Sequence, residues 1–298
     1  MSATEADLGG VPAVASGETW LSPRREAWIR LRRNKLALAG MGIITVLVFA
    51  AVFADVIATQ PTSGFFADEA RQGPSAEHWF GTDVLGRDMF SRVVHGARFS
   101  LIVGFSVVSM TLVGGVLIGG IAGFYGRWVD GIMSRIMDIW LGFPYLVGTI
   151  ILVTALGGGK FAVVIALAFF GWVGIARLFR SSVISVRNAE FVEAARALGA
   201  TNRRIFLRHV LPNAITPTLV YGFALIGAVI IGEAALSFLG LGVQEPEPSW
   251  GLMLAKGREL LRTEPHLVLF PGLSLVFTSL GFILLGDGLR DALDPKLR

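Results

Sequence analysis

Asn188–Pro212 reads NAEFVEAARALGATNRRIFLRHVLP, a polar stretch of 25 residues with a long apolar segment on either side. Its pattern is helix, break, helix. Asn188 is placed to cap the first helix, with Glu190 and Glu193 in the opening turns, where carboxylates suit the positive helix end. Phe191, Ala195 and Leu198 then share one face at i, i+4 and i+7. Gly199 supplies the break, because glycine takes a left-handed conformation without steric cost. Thr201 or Asn202 starts a second short helix carrying Ile205, Phe206, Leu207, Val210 and Leu211, and Pro212 is expected to stop it. These features alone leave two readings open, a plain connecting loop and a docking element.

The flanking segments decide the class. The 298 residues are 53% hydrophobic and only 16% charged, with a mean hydropathy of +0.66. A soluble domain with so few charges could not keep its surface wetted, so an integral membrane protein is expected. Six apolar segments are candidate spans: Leu36–Ile57, Leu101–Phe124, Ile136–Leu156, Phe161–Phe179, Pro217–Leu239 and Phe270–Leu285. The last is short for a perpendicular helix. Only Gly157-Gly158-Gly159-Lys160 is available to turn between the third and fourth.

Ahead of the first span lie a Gly/Ala/Ser/Thr-rich tail over residues 1–20 and a basic stretch, Arg24–Lys35. The tail reads as disordered and lacks the features of a cleavable signal peptide. The basic stretch, with Trp28, Ile29 and Leu31 interleaved, suits a headgroup layer. The expected division is a 1–35 tail, span 36–57, a polar loop 58–99, a five-span body 100–287 and a tail 288–298. Basic residues set the orientation. With the N-terminus inside, the inside segments hold 18 of the 26 Lys and Arg. These are six in Arg24–Lys35, then Arg127 and Arg135, seven in Arg177–Arg208, and Arg290, Lys296 and Arg298. Both termini and the 188–212 stretch are thus expected in the cytosol, with 58–99 outside.

Within the spans, Gly115, Gly119 and Gly123 recur every fourth residue, which lets helix backbones approach closely, more simply inside the subunit than at a dimer seam. Pro144 removes a backbone hydrogen bond and should kink span three. Glu233 is the one carboxylate well inside a span. It must face a cavity, be paired or be protonated, which leaves a pathway role and a structural one both open. The loop after span one contains Gly81-Thr82-Asp83-Val84-Leu85-Gly86-Arg87-Asp88. Its residues are turn chemistry, and two Asp without a further ligand make a weak metal site. There is no cysteine and so no disulfide or thiolate chemistry. Gly158-Gly159-Lys160 is followed by Phe161, and Thr154 stands where a phosphate loop needs its first glycine, so no ATP site of that type is present.

Glu193-Ala194-Ala195, three residues, Gly199 and eleven residues to Leu211-Pro212 resemble the EAA motif of permease subunits in binding-protein-dependent ABC importers. Where many members have an aliphatic residue this chain has His209, and Arg208–Asn213 is similar to the form in the peptide-transporting branch. Gly81, Thr82, Asp83, Gly86, Arg87 and Asp88 resemble the block marking the C-type permease of dipeptide, oligopeptide and nickel importers. Tyr125–Asp130, Asp138-Ile139 with Phe143-Pro144, and Leu236–Gly242 with Pro248–Gly251 agree, so the likeness runs from about Trp28 to Asp294. It implies an all-α, six-span fold whose 188–212 element couples to an ATPase. It also implies a second, B-type permease as partner, two ATPase subunits holding ATP and magnesium, an extracytoplasmic binding protein, and no catalysis or nucleic acid on this chain. Short peptides are the implied cargo, with nickel chelates as alternative. A secondary transporter built on Glu233 would need inverted repeats and paired carboxylates, which are not seen. A membrane scaffold would leave the 188–212 stretch without a purpose.

Overall fold

The computed structural model describes residues 23–293. The expected disordered tail over 1–20, Lys296 and Arg298 lie outside them. The described residues form helices α1 (Pro23–Arg33), α2 (Lys35–Val52), α3 (Ala54–Ile57), α4 (Met89–Tyr125), α5 (Arg127–Leu141) and α6 (Tyr145–Ala155). There follow α7 (Gly159–Arg187), α8 (Glu190–Ala197), α9 (Asn202–Ile205), a π turn (Phe206–Val210), α10 (Leu211–Phe238), α11 (Trp250–Gly257) and α12 (His266–Leu293).

Five helical stretches are long and apolar enough to cross a membrane, and α5 with α6 is a sixth broken by a bend of 84°. Six spans are thus present if the bent pair counts as one. Pro144 does more than kink the third. It is the extended N-cap of α6, because a proline ring disfavours helical backbone in the residue before it and cannot donate. The α5 half is then held on α7 by the Arg180 Nη2–Asp130 Oδ2 bond of 2.6 Å, by Arg177 on Asp138, and by buried Met137.

Around α10 lie α4, α7 and α12, with α2 covering α12 and α4. The most extensive seam joins α4 to α7, and the four-residue glycine repeat makes it possible. A Cβ on Gly115 would overlap Ile175, one on Gly119 would overlap the Ala176 carbonyl, and one on Gly123 would lie 2.9 Å from Arg180 O. The repeat therefore serves packing within the subunit, as expected. A second close seam, where a Cβ on Gly40 of α2 would lie 2.8 Å from the backbone of Gly281 and Leu285, carries no regular spacing in the sequence.

Several expected boundaries move outward. The second span starts at Met89 instead of Leu101, taking residues assigned to the 58–99 loop. The fourth runs from Gly159 to Arg187, and the sixth runs from His266 to Leu293, so it is not short and occupies part of the expected 288–298 tail. The first ends as α2 with the separate turn α3. The basic stretch forms α1, set off by Asn34, whose side chain caps α2 at Leu36 N and Ala37 N (both 3.1 Å). Buried Leu31 fixes α1 on Leu285 and Ala292 of α12. At the tight turn, Gly157, Gly158 and Gly159 all take positive φ (+87°, +76° and +85°), a run that side chains with a Cβ would resist.

Candidate docking element and the latch at the opposite end

The 188–212 stretch folds at the C-terminal end of α4. Asn188 does not cap α8. It ends α7, and Ala189 is the N-cap residue of α8. Gly199 takes φ +79°, and Thr201 caps α9 by accepting from Arg204 N at 3.4 Å. Pro212 does not stop the second helix. It stands in the first turn of α10, where a missing N–H costs little. The preceding π turn, closed by Leu211 N on Phe206 O, feeds α9 directly into the span. Asn213 Nδ2 donates to the His209 carbonyl at 2.6 Å, helping to satisfy the widened turn.

The inward face also differs from the one expected. Val192, Ile205 and Val210 are fully buried and pack with Phe124, Phe179 and Val183. Phe191 and Leu198 instead face outward, Leu198 being 89% exposed. Glu193 and Ala194 are exposed and Ala195 half-buried, while Arg208 is exposed and His209 and Leu211 are half-buried. No carboxylate reaches ion-pair distance of Arg196, Arg203, Arg204 or Arg208 among the described residues. The element therefore offers apolar side chains and unpaired charges together on a surface anchored from below. Such a surface suits a protein partner.

The Gly81–Asp88 block sits at the other end of α4. Gly81 and Gly86 take positive φ, and the buried Thr82 hydroxyl accepts from Gln72 N at 2.8 Å. Asp83 accepts from Leu85 N (2.8 Å) and Arg87 N (3.0 Å). Asp88 caps α4 at Ser91 N (2.7 Å) and meets His78 Nδ1 at 3.0 Å. Turn chemistry is what the two Asp perform, and no group of three metal-ligating side chains occurs among the described residues.

The motif is half of a latch whose other half is 158 residues away. Arg87, 3% exposed on its side chain, bonds Asp83 through Nε (2.7 Å) and grips Glu245 with both terminal nitrogens, Nη2 at 3.0 Å from Oε1. Arg92 adds Glu245 Oε2 at 3.4 Å, and Lys256 adds Oε1 at 2.7 Å. Burial acts to raise the Glu245 pKa. Hydrogen bonds from Arg87 and Lys256 and the charges of Arg92 and Arg87 outweigh it and hold the pKa at about 2. A depressed carboxylate contributes stability above its unfolded pKa and loses it as pH falls through the folded one. The stability difference between wild type and Glu245→Gln should thus be constant above pH 5 and shrink between about 4.5 and about 2. Thermal melts in detergent that show the difference changing between pH 5 and 8 would contradict this. Glu245, Arg92 and Lys256 carry no mark of this role in the sequence, because nothing local points to a partner 158 residues away.

Glu233 is buried in α10. Its Oε1 accepts from Ser237 Oγ (2.6 Å) and from Ser249 Oγ (3.3 Å), the residue before α11. Trp250 next to it donates Nε1–H to Val93 O of α4 at 2.9 Å. Glu233 thus ties α10 to the start of α11 through Oε1, Trp250 ties α11 to α4, and Glu233 Oε2 is buried without a hydrogen-bond partner among the described residues. Glu233→Gln keeps the Oε1 acceptor and should leave assembly and the pH dependence of uptake unchanged. Glu233→Leu should lower the melting temperature. A displaced pH profile in the Gln variant would favour the pathway role over the structural one.

The family described as the binding-protein-dependent transport system inner membrane component matches residues 115–298. The chain belongs to that family. As a permease of this family it is a membrane protein, and its N-terminal part, residues 22–74, matches the N-terminal TM domain of oligopeptide transport permease C. The dipeptide transport system permease protein DppC of Alkalihalophilus pseudofirmus is 48% identical over 280 residues, 94% of this permease and 92% of that one. DppC of Bacillus subtilis is 42% identical over 279 residues (93% and 87%). The glutathione transport system permease protein GsiD of Escherichia coli is 41% identical over 295 residues (99% and 97%). A crystal structure of an amino acid ABC transporter with histidines overlays with a TM-score of 0.52 at 18% identity, covering 68% of this permease and 94% of that chain. The overlay supports the shared fold.

Proposed function

We propose that this permease forms half of the translocation pathway of an ATP-driven importer for short peptides. A B-type permease supplies the other half. Two ATPase subunits, which hold ATP and magnesium, dock on the cytosolic side, one of them mainly through Ala189–Leu211. An extracytoplasmic binding protein delivers cargo to the 58–88 loop. The observation that carries the reading is the 188–212 surface, which is anchored by Val192, Ile205 and Val210 and leaves Phe191, Glu193 and Leu198 outward. Closure of the ATPase pair would shift this surface and tip the bundle between inward-open and outward-open states. Relatives named for dipeptide and glutathione transport favour peptide cargo, since glutathione is itself a peptide. Nickel chelates are the second reading.

Proteoliposomes holding the complete transporter, supplied with its binding protein and ATP inside, should accumulate labelled dipeptides. Accumulation of nickel chelates without any peptide would overturn the cargo. Orientation has its own test. In this cysteine-free chain, single cysteines at exposed Ala76 and Ala197 should react with an impermeant thiol reagent from outside and inside respectively. The reverse pattern would overturn the topology.

A further inference from the structure

Between the last turns of α4 and the π turn runs a groove of about 340 Å³, walled by Leu117, Ile121 and Tyr125 on one side and Phe206 and Leu211 on the other. At its end it meets a hollow of about 360 Å³ formed by Thr201, Arg203, Arg204, Leu207 and Arg208, with Arg203 and Leu207 belonging to both. The groove extends along a membrane-crossing helix from Val116 to Tyr125, about 14 Å at the helical rise. That is close to the depth of one leaflet, half of a hydrocarbon core of about 30 Å. Its walls stay open, with Leu117 and Tyr125 each 60% exposed.

The charge at the mouth is uncompensated. On neighbouring α7, Arg177 and Arg180 are taken by Asp138 and Asp130, and Arg187 donates to the Gly123 and Phe124 carbonyls at 2.8 and 3.0 Å. Arg203, Arg204 and Arg208 have no such partner among the described residues. The geometry points to a binding site for an anionic phospholipid, with one acyl chain in the α4 groove and the phosphodiester on Arg203 and Arg204. A water-borne ATPase could cover the arginines but not an apolar trench at membrane depth. A helix of the partner permease could cover the trench but not the arginines, so only the ATPase and that helix together would take the place of one lipid. A phosphate diester joined to a hydrocarbon chain answers both, and guanidinium groups bind phosphate in a two-pronged geometry. The inference does not depend on the cargo.

The intact transporter, exchanged into nanodiscs of phosphatidylcholine doped with phosphatidylglycerol, tests it by native mass spectrometry of retained lipid. Wild type should retain phosphatidylglycerol over phosphatidylcholine. Arg203→Gln with Arg204→Gln should lower that preference about fivefold per arginine removed without changing phosphatidylcholine retention. Ile121→Trp fills the trench and keeps every charge, so it should also lower phosphatidylglycerol retention. Equal retention of the two lipids by wild type would overturn the site. So would unchanged phosphatidylglycerol in the tryptophan variant, which would reduce the patch to diffuse surface charge. Loss of ATPase co-purification in the double Gln variant, with lipid unaltered, would assign the arginines to the ATPase and equally overturn it.

Discussion

A Gly199→Val transporter should reach the membrane in normal amount, keep its partner permease, and take up cargo on the order of tenfold more slowly, as loss of an intersite coupling of ordinary size implies. Substrate should no longer stimulate ATP hydrolysis. Gly199 holds φ +79°, and nothing lies within 4 Å of the Cβ that a side chain would bring. The penalty is therefore one of backbone alone, about 1–2 kcal/mol for an L-residue in the left-handed region and greatest when β-branched. To escape it the chain would swing α8 relative to α9, displacing Phe191, Glu193 and Leu198 while the spans stay untouched. Gly199→Asn, which tolerates this conformation, should retain most activity. Wild-type uptake and stimulated hydrolysis in the Val variant would falsify the coupling role of this turn.

The second large effect belongs to the latch. Arg87→Ala should cost about 3 kcal/mol or more, the range for removing one partner of a buried ion pair, and should free the 58–88 loop for proteolysis. Asp83 and Glu245 would both lose their bidentate partner, and Arg92 stands 3.8 and 3.4 Å from them, too distant to replace it fully. Adding Glu245→Gln to Arg87→Ala should restore part of the loss, since the stranded charge is gone; such non-additivity marks a direct interaction. An Arg87→Ala protein with the melting temperature and protease resistance of wild type would show that the ion pairs are incidental.

These two sites also show what a sequence can carry. The spans announce themselves through apolar length, and Gly199 through its place between two amphipathic turns, because both are local properties. The start of α4 does not. Arg92, His95 and Arg98 look like loop residues until Glu245 and Asp55 are seen to meet them, Arg98 Nη2 lying 2.9 Å from Asp55 Oδ2. Tertiary partners there satisfy charges that composition would assign to water. The buried face of α8 is hidden from the sequence for a related reason. Phe191, Ala195 and Leu198 are the longer apolar row, yet it is Val192 that packs beside Phe179 and Val183, and Phe191 and Leu198 are left exposed. Pro212 misleads because proline halts a helix it enters from behind but can begin one, and only the π turn shows which applies.

That π turn also has a mechanical consequence. Asn202–Phe238 is one continuous helical stretch, with the π turn and Pro217 inside it, and is about 55 Å along its axis at the helical rise. No hinge loop separates the end that carries Arg203 from the end that carries Glu233. A tilt of about 5° about one end would carry the other about 5 Å, roughly one helical pitch. A small rotation where the 188–212 surface sits would therefore be felt as a shift of several ångströms where α10 meets α11.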